Sequence, residues 1–174
     1  NLLYERNTGL KATMVCYPYD DIESWTGSFT AEEYKERIQT LLLQWETGLK
    51  LLNEKKGNEE YEELNRMASV VYLNLKSLLV QFLFNEKKET AKKKELLPLL
   101  EEEENLTKQL YALAARDARI GYEASNHYYF TQNSFLEKFI NFRCFTKDVE
   151  TFDSLQTLAV EDKKLVVIVN QLQI

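Results

Sequence analysis

The sequence predicts an all-α fold: an antiparallel helical bundle of three long helices plus a shorter one, preceded by an irregular N-terminal arm. Three observations carry this. Apolar residues recur at helical spacing over three long stretches. Two expected helix starts read as capping boxes, Thr30-Ala31-Glu32-Glu33 and Ser134-Phe135-Leu136-Glu137, in which hydroxyl and carboxylate serve each other's free amides. Turn chemistry is scarce, with 5 Gly and 2 Pro in 174 residues, which disfavours a many-turned β fold. The length suits one domain with a substantial core. The expected division is an aromatic and acidic arm over 1–29, the bundle over 30–145 and a less defined tail over 146–174.

The first helix starts at Thr30 and carries Tyr34, Ile38, Leu41, Leu42, Trp45, Leu49 and Leu52 on one side. Lys55-Lys56-Gly57-Asn58 ends it, with cations at the C-terminal dipole and a glycine to cap. The second runs from about Glu59 to Asn85. Its stripe is Tyr61, Leu64, Met67, Ala68, Val71, Tyr72, Leu75, Leu78, Leu79 and Phe82. Val70, Leu73, Val80 and Leu83 widen it, so this helix is expected at the centre, with Trp45 and Leu75 in the core. Asn85 to Lys94 reads as a solvated connector. Pro98 fits near the start of the third helix, where its missing amide costs least. Glu101 to Glu104 then lie in early turns, where the dipole favours anions. Leu99, Leu100, Leu106, Leu110, Leu113, Ala114 and Ile120 supply the buried side, and the helix is expected to reach Asn126. A fourth helix opens at Ser134. In the tail, Val149 to Leu158 reads as a weak helix and Leu165 to Val169 as a strand.

Composition narrows the function. The net charge of −6 gives a field that does not favour nucleic acid or an anionic membrane. No apolar run approaches the length that spans a bilayer, so no membrane span is expected. The first residue is Asn1, which reads as a processed chain or an excised piece. Cys16 and Cys144 are the two cysteines. Two buried free thiols are the favoured reading, with a disulfide between them as the alternative. No metal or other cofactor is expected, because one histidine and two distant cysteines do not make a zinc site. Asn105-Leu106-Thr107 is a glycosylation sequon that falls mid-helix and reads as accidental.

One stretch concentrates chemically capable side chains: Arg116, Asp117, Arg119, Glu123, Asn126, His127, Tyr128 and Tyr129. On a continuous helix, Arg116, Arg119 and Glu123 share a face at i, i+3 and i+7. The arm supplies a second set in Tyr17-Pro18-Tyr19-Asp20-Asp21 and Trp25. Aromatic rings beside carboxylates suit a sugar, because rings stack and carboxylates accept from hydroxyls. The candidate ligand-binding residues are therefore Tyr19, Asp20, Asp21, Trp25, Arg116, Arg119, Glu123, Asn126, His127 and Tyr128. Burial of the arm's aromatics is expected to bring these two segments into one cleft, with Gly121 permitting close approach. The structural alternative is plain: the arm pins itself to the bundle, and the later stretch is surface ion pairs followed by a capped helix end. No catalytic residue is assigned, since no phosphate loop, nucleophile elbow or identifiable carboxylate pair is present.

Three stretches carry a resemblance. They are Tyr17-Pro18-Tyr19-Asp20-Asp21 with Trp25-Thr26-Gly27, then Gln44-Trp45-Glu46-Thr47-Gly48-Leu49, then Arg119 to Tyr129 with Leu136-Glu137-Lys138. Over roughly residues 14–145 they resemble the helical C-terminal region of large bacterial glycoside-hydrolase-like proteins. The resemblance implies a bacterial source and a non-catalytic accessory helical domain beside a sugar-active barrel, with carbohydrate or a neighbouring catalytic domain as partner. The rival expectation is a stand-alone helical protein-interaction module. A cleft of exposed aromatics and carboxylates favours the first, and a contiguous exposed apolar surface the second.

Overall fold

The structure is a computed structural model and describes residues 2–4, 6–11, 20–55, 57, 59–123, 128–129 and 132–146. Four helices account for most of them: α1 (Ala31–Asn53), α2 (Glu59–Lys87), α3 (Lys93–Ala114) and α4 (Gln132–Thr146). The fold is all-α. A 3-10 turn over Ile22–Ser24 precedes α1, and a two-residue hairpin, β1 (Tyr122–Glu123) and β2 (Tyr128–Tyr129), separates α3 from α4. The expected strand over 165–169, the weak helix over 149–158 and Cys16 lie outside the described residues.

The first capping box forms as the sequence requires. Thr30 Oγ1 accepts from the Glu33 amide at 3.2 Å, and the Thr30 amide donates to Glu33 Oε2 at 2.9 Å. The chain reverses after α1 through Gly57, whose φ of +100° suits a residue without a side chain. α1 then lies against α2 in the opposite direction. Lys35 meets Glu86 at 3.2 Å, Trp45 Nε1 donates to the Ala68 carbonyl at 2.8 Å, and Asn53 accepts from Asn65 at 3.0 Å. On the same seam Tyr72 donates to Glu46. Burial, together with that bond and the nearby Glu46 and Glu102 charges, pushes the Tyr72 hydroxyl up to about 12.

The remaining seams follow the same logic. Lys76 pairs with Glu102, while Ser77 and Gln81 reach Glu103. Phe84 shares a cluster with Leu96 and Leu100, and Leu73 with Leu106 and Leu110, so α3 runs back along α2. Lys138 pairs with Glu103 and Phe135 meets Tyr111 edge-on with centroids 6.1 Å apart, so α4 runs back along α3. Two apolar clusters stack along this sandwich. Leu73, Val80, Leu106, Leu110 and Phe135 form the middle one. Leu3, Phe84, Leu96, Leu100, Phe142 and Phe145 form the other, at the end where α2 meets α3.

Several boundaries depart from expectation. α3 stops at Ala114 with Ala115 as its cap and turns through Gly121, at φ +96°, into the hairpin. The helix therefore does not reach Asn126, and Arg116, Arg119 and Glu123 do not share a helix face. Pro98 lies inside α3, one turn past its start at Lys93. It leaves the Lys94 carbonyl without a helical donor, and Lys94 is exposed to solvent. α4 begins at Gln132, so the Ser134 box sits within the helix rather than at its start. Cys144 is an exposed free thiol, not a buried one.

The largest departure concerns α2. Its C-terminal half is buried at Leu73, Ser77, Val80, Gln81, Phe82, Phe84 and Asn85. Its N-terminal half exposes Tyr61, Leu64, Met67 and Val71, which the apolar stripe placed in the core. Trp45 and Leu75 are half-buried. By length and composition α2 is apolar enough to cross a membrane, contrary to the reading of the sequence. Its best 18-residue window has a mean hydropathy of 1.5, and 33% of that window is buried within the fold. Core helices meet the same criterion, so length and hydropathy do not assign α2 to a bilayer.

Candidate functional site

The residues expected to form one cleft divide between the two ends of α2. At the C-terminal end, Trp25 and Tyr34 both pack on Phe82. Trp25 is edge-on with centroids 6.0 Å apart, and Tyr34 stacks at 5.7 Å. Asp20, buried at 5% exposure, pairs with Lys88 at 2.8 Å. It also accepts from Thr8, at 2.7 Å from the amide and 2.6 Å from the hydroxyl. Burial alone raises the Asp20 carboxyl, but the bonds from Lys88 and Thr8 and the lysine's charge outweigh it and hold the group below its usual value. Asp21 is half-buried, and its carbonyl accepts from the Ser24 amide and hydroxyl.

At the other end of α2, Arg119 grips Asp117 at 2.7 Å and reaches Glu63 at 2.8 Å, while Arg66 lies 3.5 Å from Asp117. These bonds from Arg119 hold the Asp117 carboxyl well below the carboxylate range. Arg116 is exposed. Phe82, the anchor of Trp25, and Arg66, the partner of Asp117, are 16 residues apart (82 − 66), about 24 Å along the axis. That exceeds a helix diameter of about 10–12 Å, so the arm does not pack beside residues 116–121. Of the arm's aromatics, Trp25 lands on Phe82, a ring that Tyr34 of α1 also covers. Tyr19, Asn126 and His127 lie outside the described residues. Glu123 and Tyr128 are described as backbone in the hairpin, with Glu123 opposite Tyr128 in register.

Two polar features were missed by sequence reasoning. The first is buried between α2, α3 and α4. Glu103, at 0% exposure, accepts through one carboxylate oxygen from Ser77 at 2.6 Å, from Gln81 at 2.9 Å and from Lys138. The signal existed: Ser77, Gln81 and Asn85 recur one turn apart within an apolar helix, and a polar ladder at that spacing on a buried face demands partners. Glu103 itself is hidden among four consecutive glutamates. The second is Asn141 on α4, whose side chain clasps the backbone of Leu3. The Leu3 amide donates to Oδ1 at 2.8 Å, and Nδ2 donates to the Leu3 carbonyl at 2.8 Å.

Chemically, the Glu103 cluster is a buried ion pair with two neutral donors, all on one carboxylate oxygen, and it is well suited to fixing helix order. Among the described residues no three His, Cys, Asp or Glu side chains group as metal ligands. The chain matches no protein-family model, no curated protein and no solved structure.

The third feature is apolar. Leu64, Met67 and Val71 stand at i, i+3 and i+7 on one side of α2, with Tyr61 a turn before them, and each is exposed by 39–53%. Further along the helix, Phe82 is covered by the chain's own Trp25 and Tyr34. The first turn of α2 adds Glu59, Glu60 and Glu62.

Proposed function

We propose that this chain is a non-catalytic helical interaction module that holds an amphipathic helix of a partner protein along the first half of α2. The observation behind this reading is the exposed row of Leu64, Met67 and Val71 on the most apolar helix of the fold. A helix laid in such a row engages it through positions at the same spacing, and methionine adapts to varied partners. Charge sets the partner's chemistry. The chain carries a net −6 and begins α2 with Glu59, Glu60 and Glu62, so the fitting helix has an apolar stripe with basic flanks. An accessory role beside a larger catalytic domain is compatible with this reading when the partner helix belongs to that domain. Of the residues that would suit a sugar, Asp20 and Trp25 stand at one end of α2 and Arg119 at the other.

The test is a fluorescence anisotropy titration with a labelled 18-residue Leu/Lys amphipathic helix. Leu64→Asp with Met67→Asp is expected to weaken binding at least tenfold. The substitutions add negative charge, so attraction by charge alone would tighten binding instead. Unchanged or tighter binding contradicts the proposal, as does preference for phospholipid vesicles over the peptide.

A further inference from the structure

The N-terminal segment is held as a bound peptide would be. Leu3, at 2% exposure, fills a pocket of Phe84, Leu96, Leu100, Phe142 and Phe145. Asn141 pairs with both the amide and the carbonyl of Leu3, two bonds of 2.8 Å each. This pairing reads main chain and is indifferent to the neighbouring side chains. Downstream, the Asn7 amide donates to Glu89 at 2.9 Å, and Thr8 donates twice to the buried Asp20. Asp20 is in turn fixed by Lys88, which also reaches the Arg6 carbonyl at 3.5 Å. Residues 2–4 and 6–8 contribute no helix or strand. An apolar anchor, a bidentate main-chain clasp and a second polar contact five residues on are the components of a peptide-binding site.

We propose that the pocket bounded by Asn141, Phe84, Leu100 and Phe142 is a docking site for a non-helical, leucine-anchored peptide, and that residues 2–8 of a second copy of this chain occupy it in trans. That ligand fits, because Leu3, Arg6, Asn7 and Thr8 of the identical sequence already make these contacts in cis. Exchange of an identical segment between copies recreates the same contacts and changes only their connectivity. The tethered segment competes at high effective concentration, so the site opens to a second copy when the chain's own leucine is withdrawn.

The probe is a labelled peptide of residues 1–11, titrated against the full chain carrying Leu3→Asp. Saturable binding is expected. It should be at least tenfold weaker to the wild-type chain, whose own segment competes, and to Leu3→Asp combined with Asn141→Ala. A peptide with aspartate at position 3 should not bind. Circular dichroism checks that the variant keeps its helices; if it does not, Leu3→Ala replaces it with the same expectations. Absence of saturable binding to a folded variant overturns the site. Native mass spectrometry of the Leu3→Asp chain mixed with the Asn141→Ala chain is expected to show 1:1 pairs, because the first offers an intact pocket and the second an intact segment. Peptide binding without such pairs overturns the second copy as the source.

Discussion

Replacing Lys138 with methionine is expected to destabilise the chain by about 3–5 kcal/mol in chemical denaturation at neutral pH. The ammonium is one of three groups donating to Glu103, a carboxylate with no exposure between α2, α3 and α4. Without it, Ser77 and Gln81 remain as neutral donors to a buried charge, at 2.6 and 2.9 Å. The cost is that of an uncompensated ion in the interior rather than the net value of the pair. It follows that removing both charges, with Lys138→Met and Glu103→Leu together, should recover much of the loss. A single-variant loss below about 1 kcal/mol, or a double variant worse than the single, contradicts the assignment.

Lys88→Met is expected to cost about 3 kcal/mol, at the low end for a broken buried pair. Both side chains are sealed, at 0% and 1% exposure, but Thr8 still donates twice to Asp20. The same pair carries a pH dependence. The folded Asp20 carboxyl titrates below its ordinary value, so its contribution is complete above the unfolded value of about 3.9 and is lost as the pH falls through the folded value. Stability measured from pH 7 down to pH 2 should therefore decline more steeply below about pH 4 in the wild type than in the Lys88→Met chain. Parallel profiles, or a loss confined to alkaline pH, contradict this account of the arm.

The elements governed by local rules were legible in the sequence. α1 begins at its capping box and α2 spans almost the stretch its periodicity outlined. The end of α3 was not legible. Nothing in Arg116 to Glu123 forbids helix by propensity. The break follows from Asp117 turning back to the Arg119 amide at 3.0 Å and from Gly121 taking a positive φ. A short polar side chain that can bond its own backbone competes with the helix in this way. The Ser134 box was a false start because the same Ser-x-x-Glu spacing occurs inside helices, where both side chains simply face solvent.

The separation of Asp20 and Trp25 from Asp117 and Arg119 was not legible for a different reason. Chemically rich residues were grouped by type, whereas the fold sorts them by which helix end lacks cover. Trp25 went to Phe82, and Asp20 went to Lys88, a residue that its charged neighbours made look like part of a solvated connector. Periodicity also cannot say whether an apolar stripe is covered within the chain. α2 is striped along its whole length, yet α3, α4 and the arm bury its second half, while Leu64, Met67 and Val71 remain in solvent.

That division of α2 is the central claim, and the stability of two variants tests it most directly. Leu73→Ala removes a side chain buried at 5% exposure among Val80, Leu106, Leu110 and Phe135, and should cost about 2–5 kcal/mol. Leu64→Asp with Met67→Asp alters only the exposed row and should cost at most about 0.5 kcal/mol per site. A double-aspartate chain that loses as much stability as Leu73→Ala would place the row in the core and leave no surface for a partner.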